Sequence, residues 1–137
     1  MKNKKYRSLN RSTTRIRYHI VLDFKYHYKI ARIIGEENMK RVITSAVAHC
    51  DGVKLLAIGI DKYHVHLIVS SPPYWSVSQL VSRIKQLITH KEWGKYSHIL
   101  EGSYYKKKVL FSHGYFCETI GDMSEDKILD YVKNQDC

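Results

Sequence analysis

The stretch from residue 63 to residue 69 is short and apolar, and it carries two histidines separated by a single valine. Successive side chains of a strand point to opposite faces, so His64 and His66 share one face and the apolar residues between and after them share the other. Their Cα atoms would lie about 6.6 Å apart, close enough for both imidazoles to reach one divalent cation. The alternative is a pair of hydrogen-bonded histidines without a metal, and two imidazoles alone leave most of a coordination sphere unfilled.

The surrounding hydrophobic pattern supplies further strands and helices. Strands are predicted over residues 18–24, 53–60, 64–70 and 115–120, and amphipathic helices over residues 35–52 and 76–88. The order βαββαβ predicts an α+β protein with the ferredoxin-like, split βαβ plan, in which an antiparallel sheet carries two helices on one face. We expect His64 and His66 on the other, open face, just beyond a tight hairpin link at residues 61–63. Residues 96–108 read as an irregular basic connection.

Composition narrows the class of partner. The chain has 137 residues, 44% of them hydrophobic, which suits one domain with its own core. A formal net charge of +10 favours a polyanionic partner, and nucleic acid is the leading expectation. Three scattered cysteines, Cys50, Cys117 and Cys137, lack the spacing of a zinc site or a disulfide framework. Without an apolar run of membrane-spanning length, we expect no membrane association and a cytoplasmic location.

A last predicted helix, over residues 123–136, follows the ferredoxin-like pattern. Possible N-caps and an acidic first turn favour a helix start near residue 124. Tyr131 and Gln135 are four residues apart, so they lie on one face of that helix and present a phenol and an amide together. The alternative is a boundary tyrosine of a packed helix next to a solvated glutamine.

These residues resemble the single-tyrosine HUH transposases of small bacterial and archaeal insertion sequences, in which a hydrophobic residue separates two histidines. The similarity extends from about residue 18 to residue 135. It is carried by the hairpin with its histidine pair, by Tyr131 and Gln135 some 65 residues later, and by the segments Tyr18-His19-Ile20-Val21, Ser76-Val77-Ser78 and Tyr115-Phe116. Many members of that family have an aspartate immediately before the first histidine, where this chain has Tyr63, and Asp61 lies two residues earlier.

The resemblance implies a chemistry. Tyr131 would be the nucleophile that forms a 5′-phosphotyrosine link to single-stranded DNA, while His64, His66 and Gln135 would bind Mg²⁺ or Mn²⁺. It implies a single transposase domain over residues 1–137, and the run of lysine and arginine near the N-terminus predicts a basic leader at residues 1–16. It also implies DNA hairpins at element ends as substrate, and a nucleoid-associated homodimer in which the C-terminal helix of one subunit can complete the metal site of the other.

Two other classes stay open from the sequence. A non-catalytic module that binds single-stranded DNA or RNA would explain an open ferredoxin-like sheet and the basic charge, but not the histidine pair together with Tyr131 and Gln135. A hydrolytic metal-dependent nuclease would explain the histidines without needing the tyrosine. Candidate side chains for the DNA backbone are Arg83, Lys85, Lys106, Lys107 and Lys108. Three further histidines, His19, His27 and His113, are candidate DNA contacts.

Overall fold

The computed structural model describes residues 14–104, 107–121, 127 and 130. This part of the chain contains the strands β1 (Ile16–Asp23), β2 (Lys54–Ile60), β3 (His64–Ser71) and β4 (Phe116–Ile120). It also contains the helices α1 (Ile30–Ile34), α2 (Glu36–Val47) and α3 (Val77–Ser103), and a 3-10 turn at Lys25–His27. No helix within these residues is long and apolar enough to cross a membrane.

The four strands form one antiparallel sheet in the order β2-β3-β1-β4. Strands β2 and β3 are the predicted hairpin, whereas β1 reaches the centre of the sheet by pairing with β3 on one side and β4 on the other. This strand order, with a helix-containing connection after β1 and another after β3, confirms the predicted ferredoxin-like plan. The bounds of β1 differ slightly from expectation, since the strand begins at Ile16 instead of residue 18.

The helices cover one face of the sheet. Alternate residues of β1 and β3, such as Ile20 and Leu67, are fully buried in the main core. Helix α2 contributes Ile43 to the same cluster and α3 contributes Ile84. Helix α3 starts where the sequence predicts, because the Ser76 hydroxyl accepts from the Gln79 backbone N–H while the Gln79 side chain accepts from the Ser76 N–H.

Helical structure extends further than the sequence indicates. The expectation of an irregular connection over residues 96–108 is wrong for its first part, because α3 continues to Ser103 with one non-helical residue at Tyr96. Residues 107 and 108 are not helical, as predicted. The helical geometry is interrupted at Tyr96. Leu100, one turn later, is fully buried in the core, and this tertiary contact stabilises the last turns of α3. The short helix α1 was also not predicted. It is joined to α2 through Gly35, whose φ of 101° is a conformation that favours glycine.

The second face of the sheet is not open at its centre. Ile68 is fully buried there with Ala57 in a separate small cluster, against which Leu56 and Ile120 pack. His66, on the same face, is only 2% exposed, whereas His64 at the start of β3 is half-buried. The alternation of β3 is therefore as predicted, but the face that carries the histidines is solvent-accessible only towards its edge.

Candidate active site

The hairpin turn between β2 and β3 places a carboxylate beside the histidine pair. Asp61 Oδ1 accepts backbone hydrogen bonds from Tyr63 N–H at 2.9 Å and from His64 N–H at 2.8 Å. The Asp61 N–H in turn donates to the His64 carbonyl oxygen at 3.0 Å. This arrangement, an aspartate that bonds to the backbone two and three residues ahead, is a local property of the turn sequence. It orients the Asp61 side chain towards the start of β3.

The Asp61 carboxylate reaches both imidazoles. Its Oδ1 lies 3.0 Å from His64 Nδ1, and its Oδ2 lies 3.3 Å from His66 Nε2. Burial opposes ionisation of Asp61, but the hydrogen bonds from the Tyr63 and His64 backbone and the His64 side chain outweigh it and hold the pKa of the carboxyl below its usual value. Asp61 is therefore an anion held between the two histidines, with the ring centroids of His64 and His66 6.2 Å apart.

Strand β1 supplies the groups on the far side of each ring. In the register of β1 with β3, Asp23 lies directly opposite His64, and Asp23 Oδ1 is 3.3 Å from His64 Nε2. His19 Nε2 lies 3.3 Å from His66 Nδ1, and the two rings stack with centroids 5.5 Å apart. Both nitrogens of each histidine of the pair are thus contacted by a side chain, which orients the rings.

Burial sets the protonation tendency of the two inner histidines. It is the largest influence on His19 and on His66, and it lowers the pKa of both below the ordinary value. For His66 the nearby Asp61 carboxylate opposes the decrease, and for His19 the opposing group is Glu118, whose Oε1 lies 4.0 Å from His19 Nδ1. Both rings favour the neutral form, which is the form that can ligate a metal.

The side chains around the histidine pair have the chemistry to bind a divalent cation, although the described residues do not form a complete coordination site. Within the described residues, no group of three or more His, Cys, Asp or Glu side chains is arranged to hold a metal ion. Asp61 contacts one ring nitrogen of His64 and one of His66, and the other two nitrogens are contacted by Asp23 and His19. Imidazole nitrogen and carboxylate oxygen are nevertheless ligands that Mn²⁺ accepts, and carboxylate oxygen suits Mg²⁺. If a cation bound here, contacts between the metal and the histidines would replace the hydrogen-bond contacts between the histidines and the carboxylates.

The structure assembles part of the predicted site. His64 and His66 share one face of β3 as predicted, whereas Tyr131 and Gln135 lie outside the described residues. Asp130 and Lys127, which precede them, are helical. Sequence reasoning missed the roles of Asp23 and His19 as neighbours of the pair. The alternation of β1 was a usable signal for their shared face, but their position opposite β3 depends on strand pairing.

One predicted DNA-contact residue has another role. The Lys85 ammonium donates to three consecutive carbonyl oxygens, those of Ser112 at 2.6 Å, His113 at 3.0 Å and Gly114 at 3.2 Å. These bonds tie α3 to the segment that leads into β4. Lys85 therefore has a structural role, because its ammonium group binds backbone carbonyl oxygens of the protein itself. We call this contact the Lys85 clamp. Lys107 and Lys108 are exposed.

Comparison with known proteins assigns the chain to a class. The profile of the family described as "Transposase IS200 like" matches residues 12–135, nearly the whole chain. The protein is therefore a transposase. It is a member of the IS200-like transposase family. It is 27% identical over 135 residues to the transposases for insertion sequence element IS200 of Salmonella typhimurium and Salmonella typhi. The matches cover 94% of this chain and 82% of each relative.

Solved structures share the fold. A protein from Deinococcus radiodurans R1 that has been assigned as a transposase matches with a TM-score of 0.70 at 19% identity, over 94% of this chain and 97% of the other. A REP-associated tyrosine transposase bound to a REP hairpin matches with a TM-score of 0.55 at 14% identity. That match covers 85% of this chain and 64% of the other. At these identities the likeness establishes the architecture alone.

Proposed function

We propose that this transposase cuts and rejoins single-stranded DNA at insertion-sequence ends, with Tyr131 as the nucleophile. The observation that supports the proposal most directly is the histidine pair, held on β3 with carboxylates on two sides, in a chain of the IS200-like family. Carboxylates that contact the ring nitrogens of ligand histidines are a recurrent feature of metal sites. The hairpin-bound structural neighbour makes folded single strands the natural form of substrate.

The proposed reaction is a transesterification. The Tyr131 phenolate oxygen attacks a DNA phosphorus, the bond from phosphorus to the 3′ oxygen breaks, and the products are a 5′-phosphotyrosine and a free 3′-hydroxyl. In the joining step a 3′-hydroxyl attacks the phosphotyrosine, loses its proton and releases Tyr131. The number of phosphodiester bonds is conserved through the two steps, so neither ATP nor water is required.

His64, His66 and Gln135 are the proposed ligands for Mg²⁺ or Mn²⁺. When bound, the cation would polarise the scissile phosphate and stabilise charge on its oxygens and on the leaving group. Asp61 and Asp23 orient His64, and Asp61 and His19 orient His66. In this proposal the Asp61 carboxylate also replaces the aspartate that many relatives carry immediately before the first histidine. The same proposal includes a homodimer in which Tyr131 and Gln135 of one subunit complete the active site of the other. It also places the protein at the nucleoid, where its DNA substrate is.

A covalent-adduct assay tests the nucleophile. Labelled single-stranded DNA from the genomic flanks is incubated with protein and Mg²⁺ or Mn²⁺, and the products are separated on a denaturing gel. We expect a slow-migrating protein–DNA species from the wild type that is absent from Tyr131→Phe. The matched control is Tyr74→Phe, an exposed tyrosine beyond the end of β3 opposite to His64, which should keep the adduct.

The other outcomes identify other functions. Cleavage that persists in Tyr131→Phe without an adduct would mean a hydrolytic nuclease. DNA binding without cleavage by the wild type in either metal would mean a non-catalytic binding module. The ligand assignment is tested separately, since Gln135→Ala should weaken Mn²⁺ binding by titration calorimetry, and an unchanged affinity would remove Gln135 from the site.

A further inference from the structure

A pocket rich in tyrosine lies just beyond the end of β1. Its walls include the rings of Tyr26, Tyr28 and Tyr104, and Lys25 and Lys107 also line it, around a volume of about 390 Å³. The Tyr28 and Tyr104 rings stack with centroids 5.4 Å apart, and the Tyr26 ring lies 5.5 Å from Tyr28 and 6.2 Å from Tyr104. We refer to this as the tyrosine pocket.

The inner wall of the tyrosine pocket is rigid. Tyr104 is only 4% exposed, and its hydroxyl donates to the Lys25 carbonyl oxygen at 2.9 Å. The Lys25 N–H in turn donates to the Leu110 carbonyl oxygen at 2.8 Å. Burial, with Tyr28 and Tyr26 nearby, raises the pKa of Tyr104, so its hydroxyl stays protonated as a donor. Tyr104 is therefore a fixed platform against which Tyr28 packs.

The outer wall is exposed at a conformational cost. Tyr26 is 63% exposed and Tyr28 is 41% exposed, which is unusual for two large aromatic side chains side by side. Tyr26 and His27 both have positive φ, 63° and 55°, a left-handed conformation that disfavours such residues. The turn that contains them is closed by hydrogen bonds from the His27 N–H to the Phe24 carbonyl oxygen at 3.0 Å and from the Tyr28 N–H to the Lys25 carbonyl oxygen at 3.4 Å. Strain of this kind is typical of binding sites.

The positive charge around the tyrosine rings favours an anionic ligand. None of the described residues that line the tyrosine pocket is acidic, and both lysines lie at its walls. The Lys25 ammonium already lies 5.5 Å from the centre of the Tyr26 ring, which disfavours a cationic guest on that face. Flat aromatic faces beside ammonium groups are the combination that binds an unpaired nucleotide, since the base stacks on the ring and the phosphate meets the cation.

The tyrosine pocket adjoins the candidate active site through the backbone. Asp23, which contacts His64, is two residues before Lys25, so the Cα atoms of Asp23 and Lys25 are at most about 7 Å apart. The Phe24 N–H between them donates to the Tyr63 carbonyl oxygen at 2.9 Å, which links this segment directly to the hairpin turn. A strand whose phosphate lay at the histidine pair would have its neighbouring nucleotides within reach of the rings.

We propose that the tyrosine pocket holds one unpaired nucleotide of the DNA strand that is being cut. Its base stacks on Tyr26 and Tyr28, and Lys25 and Lys107 bind its phosphates. The nucleotide lies close to the scissile phosphate in the sequence of the strand, so the pocket positions the strand for the reaction. This inference rests on the proposed action of the protein on single-stranded DNA.

Equilibrium binding to the same flanking single-stranded DNA, labelled and measured by fluorescence anisotropy in EDTA at fixed salt, tests the proposal. We expect Tyr26→Leu and Tyr28→Leu each to weaken binding about tenfold, the effect of losing one base–aromatic stack. Tyr28→Phe keeps the ring and should bind like the wild type. Tyr74→Leu is the matched control, because Tyr74 is 52% exposed but follows the opposite end of β3.

Abasic substitutions in the DNA give a readout that a merely structural role would not produce. Removing bases one at a time should reveal one position whose loss weakens wild-type binding, and that loss should have little further effect in Tyr28→Leu. If the wild type binds and forms the covalent adduct but both leucine variants bind with wild-type affinity, the tyrosine pocket is not a nucleotide site. If the wild type itself neither binds nor cleaves the DNA, the proposed function fails first.

Discussion

Glu92 has a carboxyl group that is completely buried in the middle of α3. It lies four residues after Ile88 on the apolar stripe of the helix and has no exposed surface. Among the residues that the structure describes, neither of its carboxyl oxygens has a hydrogen-bond partner. Burial raises the pKa of Glu92 from 4.5 to about 8, and the charge of Lys95 opposes this only in part.

The sign of the resulting pH dependence follows from the two pKa values. Below pH 4.5 the group is protonated in both states and does not disfavour folding through ionisation. Between pH 4.5 and about pH 8 the unfolded chain loses the proton while the folded protein retains it, so stability decreases by about 1.4 kcal/mol per pH unit. Above about pH 8 both states are ionised and the loss is complete, at about 5 kcal/mol.

Glu92→Met tests this reasoning, because methionine is similar in length and does not titrate. The free energy of unfolding of both proteins is measured by urea denaturation with far-UV circular dichroism at about pH 5 and about pH 8.5. We expect the advantage of Glu92→Met over the wild type to grow by about 4 kcal/mol between these two conditions. Other titrating groups are common to both proteins and cancel in this difference. If the two pH profiles run parallel, Glu92 is ionised in the folded protein and a partner must stabilise its charge.

Two further predictions concern contacts made across elements. His19→Gln removes the imidazole next to His66 Nδ1, and because groups that orient a ligand typically contribute 10–100-fold to metal affinity, we expect Mn²⁺ binding to weaken within about that range. Titration calorimetry checks this, and unchanged Mn²⁺ affinity would show that His19 does not orient His66. Lys85→Met removes three hydrogen bonds to carbonyl oxygens but keeps the aliphatic stem, so we expect a loss of about 1–2 kcal/mol in the free energy of unfolding. Urea denaturation of Lys85→Met beside the exposed-site variant Arg83→Met checks it, and equal stabilities would show that the clamp does not contribute.

Much of the architecture was predictable because its signals are local. The alternation of β3 places His64 and His66 on one face, and the short link at Asp61 joins β2 to β3, which confirms the predicted hairpin. The start of α3 follows from the capping pair of Ser76 and Gln79. Each of these features depends on residues at most a few positions apart, so the sequence pattern contains the necessary information.

The C-terminal end of α3 was not predictable from local sequence signals. The sequence pattern predicts an irregular connection from residue 96, whereas α3 continues to Ser103. Leu100 and Tyr104 are buried against other elements, and that tertiary contact outweighs the weak local propensity. Which distant residues would cover Leu100 is not visible in the segment itself.

The amino-acid sequence was enough to predict the βαββαβ order, the shared face of the histidine pair and the family resemblance that singles out Tyr131 and Gln135. The groups that surround the histidine pair depend on how the strands pair in the fold. His19 and His66 are 47 positions apart, and they meet because β1 and β3 pair in one register. That register is selected by burial of both apolar strand faces under the helices, since a slip of one residue would turn each strand's core side chains to the wrong face.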